Sequence, residues 1–103
     1  MVIRPPTTNA IPMKRVYKYQ LEIKDEVLVS MPKDAKILTV QVQNGRPCIW
    51  ASVDPSSSDV EIRKFRIAGT GHPVEDSIIE NYIGTVQMYE GKLVFHVFEI
   101  KEV

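Results

Sequence analysis

Residues 63–73 read Arg-Lys-Phe-Arg-Ile-Ala-Gly-Thr-Gly-His-Pro. Only here do guanidinium groups, exposed main-chain donors, a hydroxyl and an imidazole stand close enough along the chain to converge on one ligand. Gly69 and Gly71 reach backbone angles closed to other residues, and they let a ligand approach the main chain. Successive N–H groups in such a turn can form a concave nest for an anion. Thr70 adds a hydroxyl, and His72 adds one ring donor, or two when protonated. Arg63 and Arg66 suit phosphate because the planar guanidinium makes two parallel hydrogen bonds. A spacing of three on a regular strand puts them on opposite faces, so one enters the pocket and the other faces outward or toward a partner subunit. Trp50 and Tyr82 offer aromatic faces on which a base could stack. The plainer alternative is a turn whose glycines serve shape alone, with His72 resting on Pro73, since Gly-x-Gly lacks the full phosphate-loop frame.

Other chemistries find less support in the residue types. Two histidines and one cysteine, far apart in sequence, do not suggest a zinc site, and no metal is expected. No serine stands in a Gly-x-Ser-x-Gly elbow. Cys48 lies among apolar neighbours on an expected strand, where a thiol is usually inert, and it has no intrachain partner for a disulfide. His96 sits inside an apolar strand and reads as a core histidine with one hydrogen-bond partner. The three serines at 56–58 read as a solvated loop. No catalytic residue and no cofactor is therefore expected, and the domain is read as non-enzymatic.

The scaffold must come from a single small domain. The chain has 103 residues, 44% hydrophobic and 25% charged, enough for one modest core without disulfides or metal. Thirteen basic and thirteen acidic residues cancel, which argues against broad nucleic-acid binding while leaving room for a local basic pocket. No apolar run approaches membrane-spanning length and the N-terminus has no signal-type apolar stretch, so a cytoplasmic protein is expected. Residues 1–13 carry Pro5, Pro6 and Pro12 and read as an arm ahead of a domain over residues 14–103.

Within the domain the hydrophobic period is two. Tyr17, Tyr19, Leu21 and Ile23 alternate with polar residues, and Val27, Val29 and Met31 continue an apolar face. Leu38, Val40 and Val42 point one way and Thr39, Gln41 and Gln43 the other. Asn44-Gly45 tolerates the two positive φ angles of a type I′ hairpin. The return strand buries either Ile49, Ala51 and Val53, or Cys48 and Trp50. Residues 60–68 form a strand with Arg63, Phe65 and Ile67 on one face and Lys64 and Arg66 on the other. Residues 74–80 suit one helical turn, and Gly84 in the next strand marks a bulge or a close backbone approach. The last strand, 92–100, is apolar on both faces and belongs in the centre of a sheet. These elements predict an all-β domain, a compact antiparallel sandwich or a small open barrel of about seven strands.

Several stretches together resemble a family of short, uncharacterised all-β proteins encoded by bacteriophages and prophages. They are Lys14-Arg-Val-Tyr17-Lys-Tyr19, Met31-Pro32, Val40-Gln41-Val42-Gln43-Asn44-Gly45, Trp50, Val53-Asp54, Arg66-Ile67-Ala68-Gly69-Thr70-Gly71-His72, Tyr82-Ile-Gly84-Thr85 and Leu93-Val-Phe-His96-Val-Phe-Glu99. The resemblance covers residues 14–99 and implies context rather than mechanism. It favours a phage-type accessory protein that sequesters a small anionic ligand in the host bacterial cytoplasm without catalysis. A cyclic or ADP-ribose-type nucleotide of anti-phage signalling is the expected ligand, and a homo-oligomer the expected assembly. The alternative is a protein-interaction module, either a virion or assembly component or an inhibitor of a host enzyme. A hydrolase using His72 is the third possibility.

Overall fold

The structure, a computed structural model, describes residues 11–101; residues 1–10 of the expected arm lie outside the described residues. Among the described residues, alternating sequences give seven strands in two antiparallel sheets that do not close into a barrel. One sheet holds β1 (Arg15–Gln20), β4 (Arg46–Val53) and β3 (Lys36–Gln43) in the order β1-β4-β3. The other holds β2 (Glu26–Pro32), β5 (Val60–Gly69), β7 (Leu93–Ile100) and β6 (Tyr82–Met88) in the order β2-β5-β7-β6. The apolar last strand is indeed central, between β5 and β6.

The core forms where the inward residues of the two sheets meet. Ile49, Ala51 and Val53 from β4 face Phe65, Ile67 and Val97 from β5 and β7, with Val27, Met31, Val40 and Val86 completing the cluster. This settles the choice left open on β4. Trp50 lies on the opposite face of the three-stranded sheet, half-buried between the partner positions Lys18 and Thr39. Cys48 is nevertheless buried, and its thiol reaches the Arg46 carbonyl oxygen at 3.6 Å.

Two irregularities change which residues share a face. A register shift between Ile37 and Thr39 leaves Leu38 without a partner on β4. The extra residue of a bulge shifts the alternation by one, so Ile37 packs on the core and Leu38 is exposed, contrary to the regular period. A second shift between Tyr82 and Gly84 in β6 lets Tyr82 and Thr85, three apart, pair with the same-facing Phe98 and His96 of β7. Gly84 meets the other sheet there: a Cβ on it would lie 2.9 Å from Val40 Cγ1. A bulge and a close approach, both suggested by a glycine in mid-strand, coincide at this residue.

The turns follow local chemistry. Asn44 and Gly45 have φ of 54° and 75°, the two positive angles of the type I′ hairpin joining β3 to β4. The β6–β7 connection is broader than a two-residue turn: Tyr89, Glu90 and Gly91 all have positive φ, and Lys92 N–H bonds the Tyr89 carbonyl at 3.1 Å. The expected helical turn is α1 (Asp76–Ile79), which packs against β7.

Candidate functional site

β5 ends at Gly69, and the chain turns at once. His72 N–H bonds the Gly69 carbonyl at 3.0 Å, and Gly71 sits third in the turn with φ of 90°. That angle at the third position is the mark of a type II turn and favours glycine. Gly69 answers a different need. A Cβ there would lie 3.1 Å from His72 Cε1 and 3.2 Å from Nδ1, so the imidazole lies over Gly69.

The turn and α1 flank an open cavity of about 400 Å³ on the outer face of the four-stranded sheet. The loop residues Gly69, Thr70, Gly71 and His72 line it, and so does Tyr82. Val74, Ile79 and Phe98 make its apolar walls. The Tyr82 and Phe98 rings lie 5.7 Å apart at 59°, a tilted aromatic contact between cross-strand partners.

The polar part of the site is a continuous chain of hydrogen bonds. Tyr82 Oη lies 2.6 Å from Thr85 Oγ1. Thr85 Oγ1 lies 2.8 Å from His96 Nδ1, and His96 Nε2 lies 2.7 Å from Thr70 Oγ1. His96 is therefore no core histidine with one partner. It points to the outer face, lines the cavity and has a hydroxyl on each ring nitrogen. His96 and Thr85 escaped the sequence reading because β7 is apolar on both faces, so its alternation does not say which face is covered by the other sheet. The bulge at Gly84 then hides that Tyr82 and Thr85 share a side.

Neither arginine lines this cavity. Arg63 shares its face with Phe65 and Ile67, as its position predicts, and its charge is met there. Its Nε and Nη2 donate to the Glu99 carboxylate at 2.5 and 3.1 Å, and its Nη1 to the Ala35 carbonyl at 2.8 Å and Glu61 at 3.2 Å. The Glu99 bond, aided by the two carboxylates, holds the guanidinium pKa above the usual arginine range despite burial. Six residues of strand separate Arg63 from Gly69, roughly 20 Å at about 3.3 Å per residue. Arg66 lies on the outer face but turns away from the cavity. It donates to the Ile67 carbonyl at 2.7 Å and the Pro73 carbonyl at 3.1 Å, with Asp25 at 3.4 Å. It ties the end of the loop back to the strand. Trp50, on the other sheet, does not line the cavity either.

The larger cleft around Arg63, about 610 Å³, carries Glu61 and Glu99 beside Arg63 and Lys64. Among the described residues no group of three or more His, Cys, Asp or Glu gathers as for a metal ion. No helix among them is long and apolar enough to cross a membrane.

Two antiparallel sheets with a cavity on an outer sheet face define the class: an all-β, sandwich-like domain. The chain belongs to the family described as Domain of unknown function (DUF7352), whose profile matches residues 13–103. Comparison with curated proteins and with solved structures gave no match.

Proposed function

We propose that this domain binds a small ligand in the outer-face cavity and does not turn it over. The observation that carries the proposal is the convergence on one cavity of the Gly69–His72 turn, His96, Tyr82 and Phe98, from three separate elements. A nucleotide is the preferred ligand class. With both guanidinium groups engaged elsewhere, its base is the part that enters, against Phe98 and Tyr82. The phosphate stays near Gly71 and His72 at the exposed rim. The resemblance to phage-encoded proteins suggests the use: holding a cyclic or ADP-ribose-type signal in an infected bacterial cytoplasm, away from its receptor. Thermal melts with a panel of mono-, cyclic di- and cyclic trinucleotides test this. A ligand present at 100 times its Kd stabilises the folded state by about 2.7 kcal/mol. A flat response across the panel would overturn the proposal.

A second reading, contact with another copy of the chain, has its own observation. Leu28, Val60 and Ile62 are 64%, 64% and 69% exposed. Their register puts them on the outer face of β2 and β5, and β2 is an edge strand. An edge strand beside apolar side chains suits pairing with the same strand of a second copy. Light scattering decides: a dimer that Ile62→Lys converts to monomer supports it, and a monomeric wild type at high concentration refutes it.

A further inference from the structure

A neutral imidazole has one ring N–H and one bare nitrogen, so it donates on one side and accepts on the other. In this site each side meets a hydroxyl, and each hydroxyl can both donate and accept. The chain Tyr82–Thr85–His96–Thr70 must then run in one direction throughout. With the proton on His96 Nε2, the ring donates to Thr70 Oγ1 and Thr70 donates outward. Thr85 then donates to Nδ1 and Tyr82 to Thr85, leaving the Tyr82 oxygen to accept. With the proton on Nδ1, every bond reverses: Tyr82 donates outward and Thr70 accepts. Either way the two ends offer one donor and one acceptor.

We infer that this chain reads the paired donor and acceptor of a neutral, planar heterocycle, of which the lactam or amidine edge of a nucleobase is the fitting class. The inference rests on the small-ligand reading of the cavity and narrows it. Three hydrogen bonds and one imidazole ring cap the separation of the ends at about 10 Å, and a base edge with two flanking bonds spans about 8 Å, so a bent chain rather than a straight one lets one base meet both ends. Val74, Ile79 and Phe98 make walls on which a flat uncharged ring sits without loss, whereas a phosphate against them would forfeit hydration. Among the described residues the cavity lining contains no lysine or arginine to compensate it. Because His96 can take either tautomer, the site accepts a base edge in both orientations, provided the edge carries one group of each kind.

The test uses uridine and adenosine against N3-methyluridine and purine riboside, which lack the ring N–H and the exocyclic amine respectively. Titrations of the full chain at pH 8 are followed by 15N shifts of the His96 ring. Each parent nucleoside should bind about tenfold more tightly than its crippled analogue, the worth of one neutral hydrogen bond. Binding should move Nδ1 and Nε2 in opposite directions, as the tautomer balance shifts, and Thr70→Val should abolish the preference for the parent. Equal affinity for parent and analogue overturns the inference while the cavity remains a binding site. So does a shift of both nitrogens together, which marks protonation. Absence of binding by uridine and adenosine overturns it as well, and if the nucleotide panel is also silent the small-ligand reading falls with it.

Discussion

Arg63→Met should strongly destabilise the fold, because Arg63 holds the Glu99 carboxylate. Glu99 is 7% exposed, and two of the Arg63 nitrogens meet its carboxylate. Removing the guanidinium strands a buried carboxylate, which typically costs about 3–5 kcal/mol. The Arg63 side chain keeps 16% exposure, so the lower end applies, about 3 kcal/mol. For a domain of this size that lowers Tm by about 12–24 °C. Glu99→Leu alone should also destabilise, leaving the arginine with Glu61 and the Ala35 carbonyl. The double variant, apolar on both sides, should return to within about 1 kcal/mol of wild type, because replacing a whole buried pair is often neutral. Urea unfolding of all four proteins gives the coupling energy directly. Near-additive losses, or a single Arg63→Met variant as stable as wild type, would refute the argument.

Other perturbations probe the loop, the bulge and the turns. Arg66→Met should weaken ligand binding several-fold without touching the cavity, by releasing the Pro73 carbonyl that anchors the loop, and calorimetry with the best-binding nucleotide reads this. Gly84→Ala should cost about 1–3 kcal/mol in urea unfolding, because its Cβ would press on Val40 Cγ1. Gly45→Ala, forced to φ of 75°, should cost about 1–2 kcal/mol by the same assay. Asp54 accepts from the Ser56 hydroxyl and N–H at 2.7 and 3.0 Å, and these bonds hold its carboxyl below the usual aspartate value. A lowered folded pKa adds stability above the unfolded value and loses it as pH falls through the folded one. The small deficit of Asp54→Ala at neutral pH should accordingly vanish in strong acid.

Most of the scaffold was legible because a strand with one covered face writes that face every second residue. Val27, Val29 and Met31 show it, and so does the pair of positive angles that Asn44-Gly45 announces. Leu38 was misplaced because a bulge resets the alternation without a signature of its own. The loop was legible as a turn because glycines at 69 and 71 mark one, and Gly71 does take a positive φ. The arginines were not: Arg63 meets Glu99 across 36 residues of chain, through the β5–β7 register, which local pattern does not encode. His96 was concealed by the same pairing, which sets it beside Ala68 and Thr85 on the face under the loop.

An amide chemical-shift map of the 15N-labelled chain, titrated with uridine and adenosine monophosphates, tests the central claim most directly. Saturable shifts confined to residues 68–74, 79–85 and 96–98 are the predicted outcome. Shifts centred on Arg63 and Glu61, around Trp50, or nowhere at all would contradict the assignment of the outer-face cavity as the nucleotide site.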